Sequence, residues 1–440
     1  MSASTALLTD RYELTMVDAA LAAGTAHRRS VFELFARRLS GARRYGVVAG
    51  TGRLLEALEL FRFTDAELTW LAEEDFLRQE TLDWLADFSF SGSIWGYPEG
   101  EVFFPGSPLL TVESTFAEGV LLETLALSIL NADSAVATAA SRMSHAAAGK
   151  PIAEMGSRRT GERSAVAAAR AAYIAGFSAT SNLEAGRSYG IPTMGTAAHS
   201  FTLLHDSERD AFAAQVASLG PGTTLLVDTY DIEQGVRNAV DVAGPGLGAV
   251  RIDSGDLPVV VGRVRRLLDE LGAVDTRITV TNDLDEHTVA TLAASPVDSF
   301  GVGTSVVVGS GSPTMGMVYK LVARTGDDGA WVPVAKRSAA KASIGGRKGV
   351  RRLVSATGTV LSEEVLLHDG AADHLELGHG ETAQEVVVPL VIDGVVQSGH
   401  TGTAGIAAAR ERHRLSVAAL PPVAMSLTRG DPAVPTLYVE

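Results

Sequence analysis

Short apolar runs that end abruptly in polar residues recur through the middle of the chain. Ala249-Val250-Arg251-Ile252-Asp253 is representative: a strand-like run turns polar, Gly255 permits an unusual backbone angle, and Pro258 suits a first helical turn. Seven such runs are legible, at 151–156, 176–180, 191–195, 224–228, 248–253, 277–281 and 297–302, with helix-period segments between them. Strand and helix alternating in this way is the signature of βα units, and seven in succession predict a closed α/β barrel. An open doubly wound sheet gives the same pattern and stands as the alternative.

The first 130 or so residues have a different texture. Leu8 to Gly24 reads as a helix capped by Thr9 or Asp10, with Leu14, Val17 and Leu21 on one face. Ser30 to Phe35 alternates like a strand, three amphipathic pieces follow between Thr51 and Phe88, and Phe90 to Val112 reads as β-structure in tight Gly/Pro turns. The tail alternates again from Val386 and is Pro-rich toward its end. The expected organisation is an α+β domain over 1–130, completed by 340–440, and a barrel over 131–339. At 440 residues the chain is long enough for two cores.

Composition narrows the function. A formal charge of −15 argues against a broad nucleic-acid or anionic-membrane footprint and leaves room only for concentrated basic sites. The absence of cysteine removes disulfides, thiolate metal sites and a Cys nucleophile. The apolar segment Gly119 to Ala140 carries Glu123 and Asp133 and reads as a buried helix, and Asp10, Arg11 and Glu13 interrupt any signal-like start. The expectation is a soluble, cytoplasmic protein.

The residues just after each run are Ser157-Arg158-Arg159, Ser181-Asn182, Thr196 with His199, Asp228 with Tyr230 and Asp231, Arg251 with Asp253 and Asp256, Asn282-Asp283, and Gly303-Thr304. Barrel active sites lie at this C-terminal rim, so these polar ends define one pocket. Helix capping accounts for Ser, Asp, Asn and Thr at such places but not for the arginines and the histidine. Arg251 offers a planar cation for a carboxylate or phosphate, and Asp253 and Asp256 offer acceptors for sugar hydroxyls or Mg²⁺. A capped turn with a surface Arg is the plainer reading of the same stretch. Phe300 to Ser305 can cradle phosphate on backbone N–H groups or be only a tight turn. His199 lies among small residues that leave room for a ligand, with His205 and His145 as competitors. Arg158 and Arg159 serve as anion ligands or as a solvated turn, and Tyr12 as a ligand contact or a packing residue. The run from Lys336, Arg337, Ser338 and Lys341 to Arg347, Lys348, Arg351 and Arg352 is the densest basic segment and reads as folded and anion-facing.

Five segments together carry a resemblance. Thr9 to Met16, Phe32 to Arg38, Gly195 to Ser200, Val250 to Leu257, and Gly301 to Ser305 through Val318 to Leu321 resemble, in order, the motif set of the nicotinate phosphoribosyltransferases. The resemblance implies an irregular seven-stranded barrel with an α+β domain built from both ends of the chain. It implies an ATP-coupled, ligase-type enzyme that joins nicotinate to phosphoribosyl pyrophosphate in NAD salvage. The substrates and co-substrate are nicotinate, phosphoribosyl pyrophosphate and ATP, with Mg²⁺ as cofactor and a homodimer with shared active sites. Tyr12 matches the aromatic that stacks on the pyridine ring from a neighbouring subunit. Thr196 and Arg251 match nicotinate contacts, and Thr304, beside Gly303, matches a contact to phosphoribosyl pyrophosphate. His199 matches the histidine phosphorylated by ATP. Asp253 and Asp256 suit Mg²⁺ or ribose and the developing oxocarbenium charge, with Arg158 and Asn282 as further substrate contacts at the rim. Nicotinamide or quinolinate as the base, and a non-catalytic nucleotide-binding protein on the same fold, are the competing readings.

Overall fold

The computed structural model describes residues 4–336, 344–367 and 377–440. The chain forms two compact units, Met1–Thr138 with Ser312–Glu440, and Ala139–Gly311. Arg337, Ser338 and Lys341 of the basic run lie outside the described residues.

The first unit is built on a seven-stranded sheet. Its order is Trp331–Pro333, Met317–Thr325, Arg29–Ala36, Leu110–Thr115, Ser93–Gly96, Val388–Ile392 and Val395–Val396, so segments from both ends of the chain interleave. The Arg29–Ala36 strand is buried on both faces over most of its length. Phe32 stacks on Tyr319 with centroids 5.1 Å apart, and Phe61, Phe63 and Phe88 pack edge-on beside them in the same core. The first helix spans Arg11–Ala22 and buries Leu14 and Val17, as its apolar period requires. Its N-cap is Asp10, whose side chain makes no cap bond and instead accepts the Thr124 hydroxyl at 3.3 Å.

The basic run is absorbed by this unit. Gly349–Val354 pairs antiparallel with Val360–Leu366, and the register sets Arg351 opposite Glu364 and Arg352 opposite Glu363. Arg351 Nε donates to Glu364 at 2.7 Å; Arg352 donates to Glu363 at 2.7 Å and Glu101 at 2.6 Å. Lys348 donates to Glu33 at 2.7 Å, with both side chains buried. The expected anion-facing segment is therefore corrected at these three positions: each cation is already paired with a carboxylate of the same unit.

The second unit holds a parallel sheet in the order Ala179–Thr180, Ile152–Glu154, Ser299–Val302, Arg277–Val280, Ala249–Ile252 and Thr224–Leu226. The last strand in sequence pairs with the first, as ring closure demands. The expected seventh strand, 191–195, is reduced to one parallel bridge, Thr180↔Thr193. No ladder joins it to Thr224–Leu226 among the described residues, so in place of the expected seven-stranded barrel stands a six-stranded parallel sheet with the 191–195 segment bridged to one edge, leaving an open seam. Pro192 has no N–H to donate to a ladder, and Gly195 weakens a strand where it falls. The Glu123–Ala146 helix matches the buried helix read from sequence, and no helix among the described residues is long and apolar enough to cross a membrane.

Candidate active site

Parallel pairing places the rim residues. Arg251 stands beside Thr279 on one side and Leu226 on the other, so two residues further on Asp253 comes level with Thr281 and Asp228. Because side chains alternate across a strand, Arg251 and Asp253 share a face with Thr279 and Thr281. Val250, Ile252, Ile278 and Val280 occupy the opposite face and are fully buried.

One hydrogen-bonded cluster results. Arg251 Nε donates to Thr281 Oγ1 at 3.0 Å, and Nη1 donates to Thr196 Oγ1 at 3.1 Å and to the Ala197 carbonyl at 3.3 Å. Its Nη2 lies 3.6 Å from Asp253 Oδ2, beyond a good hydrogen bond, and remains the end of the guanidinium available to a ligand. Thr281 Oγ1 donates to Asp253 Oδ1 at 2.5 Å. His199 opens the short helix His199–Leu203, with Nδ1 3.1 Å from Thr229 Oγ1. Its Nε2 faces two carboxylates, Asp253 Oδ2 at 3.9 Å and Asp228 Oδ1 at 4.0 Å.

Asp228 is the residue that sequence reasoning passed over as one strand end among seven. Its side chain is buried, and Oδ2 accepts the Asp253 amide at 2.8 Å and the Ser254 hydroxyl at 2.6 Å. Oδ1 is buried without a hydrogen-bond partner and points at His199. A buried oxygen left in this way is costly unless a cation or donor meets it. The signal was present in the chain: Leu225-Leu226-Val227-Asp228 and Val250-Arg251-Ile252-Asp253 end alike and pair in register. Glu208 is nearby, its carboxyl raised by burial and then by the charges of Asp228 and Asp231.

The remaining rim residues are spread around this cluster. Asn182 caps the Leu183–Tyr189 helix and donates to Ser157 Oγ at 3.0 Å, tying the ends of the first two strands. Glu154, raised by burial, accepts the Thr180 hydroxyl at 2.6 Å and the Gly156 amide. A Cβ on Gly303 would stand 3.3 Å from the Met155 carbonyl, and one on Gly156 would collide with Val307, so glycines let the loops after the first and last strands touch. Thr304 begins the four-residue helix Thr304–Val307 and is exposed. Asn282 is exposed with φ 107°, an unusual angle for a non-glycine residue, and its side chain accepts the Asp283 amide at 2.8 Å. Asp256 and Arg158 are not drawn in: both are exposed, and Asp256 sits at the N-cap of Leu257–Glu270 without a side-chain cap bond.

Tyr12 belongs to the first unit, on the first turn of its helix and 45% exposed. Its phenol is pushed up to about 12 by burial and then by Glu123 and Glu13. Glu13, itself fully buried, is pushed up to about 7 mainly by burial, and Thr124 donates to its Oε1 through both amide and hydroxyl, at 2.9 and 2.6 Å.

Comparison with known proteins identifies the family of the chain. The family description "nicotinate phosphoribosyltransferase (NAPRTase) N-terminal domain" matches residues 7–131. Nicotinate phosphoribosyltransferase pncB1 of Mycobacterium tuberculosis is 55% identical over 438 residues, covering 98% of this chain and 94% of that protein. The Bacillus subtilis nicotinate phosphoribosyltransferase is 38% identical over 363 residues, covering 80% and 74%. The crystal structure of human nicotinic acid phosphoribosyltransferase aligns with a TM-score of 0.82 at 26% identity, covering 98% of this chain and 97% of that one.

Proposed function

Since this chain belongs to the nicotinate phosphoribosyltransferase family, we propose that the rim cluster of its second unit is where nicotinate is held and phosphoribosylated, and where ATP is coupled through His199. The reaction joins nicotinate to phosphoribosyl pyrophosphate. The pyridine nitrogen lone pair forms the new bond to the anomeric carbon as the bond to pyrophosphate breaks and its electrons leave with that group.

The observation that carries the residue assignment is Arg251. Three of its donors are spent on Thr281, Thr196 and Ala197, which fix the plane of the guanidinium. The Nη2 end meets only Asp253, at 3.6 Å, and suits a carboxylate, which nicotinate has and nicotinamide lacks. Asp253 Oδ2 stands beside that end and supplies negative charge where the ribosyl centre becomes cationic. The same oxygen would help hold Mg²⁺ brought by the substrate diphosphate, where the ion supplies charge neutralisation for the leaving group; no cluster of three or more acidic or histidine ligands occurs among the described residues. Thr304 and the Gly303 turn suit the phosphate of the ribosyl donor.

For ATP coupling, the two carboxylates facing Nε2 of His199 favour the proton there, leaving the Nδ1 lone pair near Thr229. Attack of that nitrogen on the γ-phosphorus breaks its bond to the ADP oxygen. Water later takes the phosphoryl group, releasing inorganic phosphate and restoring the histidine. The homodimer belongs to the same proposal, with Tyr12 of the partner subunit stacking on the pyridine ring; its 45% exposure leaves the ring face accessible.

The test is product formation from phosphoribosyl pyrophosphate with nicotinate, nicotinamide or quinolinate in parallel, each with and without Mg-ATP. Turnover of nicotinate, raised by ATP, is the expected result. Equal turnover of nicotinamide would remove Arg251 as the acid clamp, and nicotinate turnover indifferent to ATP would remove the phosphohistidine step.

A further inference from the structure

Thr281 is 4% exposed, and its one hydroxyl stands between two charges. It donates its proton to Asp253 Oδ1 at 2.5 Å and presents a lone pair to Arg251 Nε at 3.0 Å. A hydroxyl has one proton and two lone pairs, so this polarity is fixed by the charges themselves. With the hydroxyl in place, Arg251 Nη2 and Asp253 Oδ2 form only a long ion pair, 3.6 Å apart, that does not tighten to hydrogen-bond distance. Below it, Thr279 Oγ1 pairs with Ser299 Oγ at 2.8 Å, and beyond it Asn282 turns the chain with φ 107°, so the hydroxyl has a defined place at the strand end.

We infer that Thr281 is a positioning residue whose hydroxyl acts as a polar wedge, holding Arg251 and Asp253 apart so that each keeps a free edge for substrate and the site prefers a pyridine acid. Without it the guanidinium and carboxylate swing together, and the donors meant for a ligand carboxylate are consumed within the protein. The inference rests on the reading of Arg251 as the nicotinate clamp.

The experiment compares Thr281→Val, nearly isosteric but without the hydroxyl, with Thr281→Ser, which keeps it, and with Arg251→Gln, all in the full-length chain. Circular dichroism and thermal melting establish that each variant is folded. Losing a hydrogen bond to a charged partner predicts about a tenfold or greater rise in the KM for nicotinate in Thr281→Val. It also predicts a fall in the ratio of kcat/KM for nicotinate over nicotinamide, with the KM for phosphoribosyl pyrophosphate little changed. Thr281→Ser is expected to restore the nicotinate KM and the ratio. A valine variant with wild-type values, or a serine variant as impaired as valine, overturns the inference. An unchanged nicotinate KM in Arg251→Gln overturns the underlying reading instead; impairment in Arg251→Gln with none in Thr281→Val overturns the wedge alone.

Discussion

Two groups of charged residues, each set on neighbouring strands, behave in opposite ways. In the first unit Arg351, Arg352 and Lys348 meet Glu364, Glu363, Glu101 and Glu33 within the sheet and beside it. In the second, Arg251, Asp228 and Asp253 stand at or just beyond the ends of parallel strands and His199 at the start of a short helix facing them, with ion-pair distances of 3.6 to 4.0 Å between them. The difference is position along the strand. Mid-strand charges face a cross-strand neighbour at fixed register and are neutralised by it. Charges at the C-terminal ends of parallel strands meet only loops, which leaves their unpaired edges for a ligand. Density of charge in a sequence therefore says less about a binding site than the point at which a strand stops.

The contrast breaks most sharply at His199. His199→Ala is expected to abolish ATP stimulation, bringing the rate with ATP down to the rate without it, while the urea midpoint stays nearly unchanged because the side chain is 41% exposed. Steady-state assays with and without Mg-ATP, paired with urea titration, check both halves. Arg352→Met should do the reverse. Leaving the buried Glu363, and the half-buried Glu101 beside it, without their cation is expected to destabilise the fold by about 3–5 kcal/mol, while the variant that remains folded keeps its nicotinate KM. A loss of stability confined to that variant would sharpen the distinction; a raised KM would dissolve it.

The smallest effect tests a carboxylate between the two types. Glu13 is buried with Oε2 unpaired, and burial pushes its carboxyl up to about 7 in the folded state from the usual 4.5. The fold binds the proton more tightly than the unfolded chain, so stability falls as pH rises from about 4.5 to about 7 and stays low above that. Glu13→Gln removes this dependence. Its melting temperature should exceed the wild type by a few degrees near pH 8 and match it near pH 4, read by scanning fluorimetry across pH.

Much of this was legible in the chain. The alternation of apolar runs with helical segments located six strands to within a few residues, because a buried parallel strand must be nearly continuous in apolar residues. Arg251 and Asp253 share a face by simple alternation, and Thr196 was visible as a rim hydroxyl. Asp228 and Thr281 were harder to read. Each is a common residue at a common place, and each gains its part only through register with a strand about 25 residues away. The basic segment misled for the complementary reason: its glutamates lie at 33, 101, 363 and 364, and only pairing brings them to it.

The open seam in the second unit bears on which part of the sheet opens most readily. The segment leading to Thr196 and His199 is tied to the sheet through Thr180 by two backbone bonds, Thr180 to Pro192 at 3.0 Å and Met194 to Thr180 at 2.9 Å. Arg251 instead lies in a strand laddered on both sides, and Asp253 follows it directly. Opening a stretch costs roughly in proportion to the bonds and packing it gives up. The amide protons from Ile191 to His199 should therefore exchange with deuterium well before those of Val250 and Ile252. The backbone that carries His199 thus hangs on a two-bond tether, while the strand that carries Arg251 is paired along both of its edges.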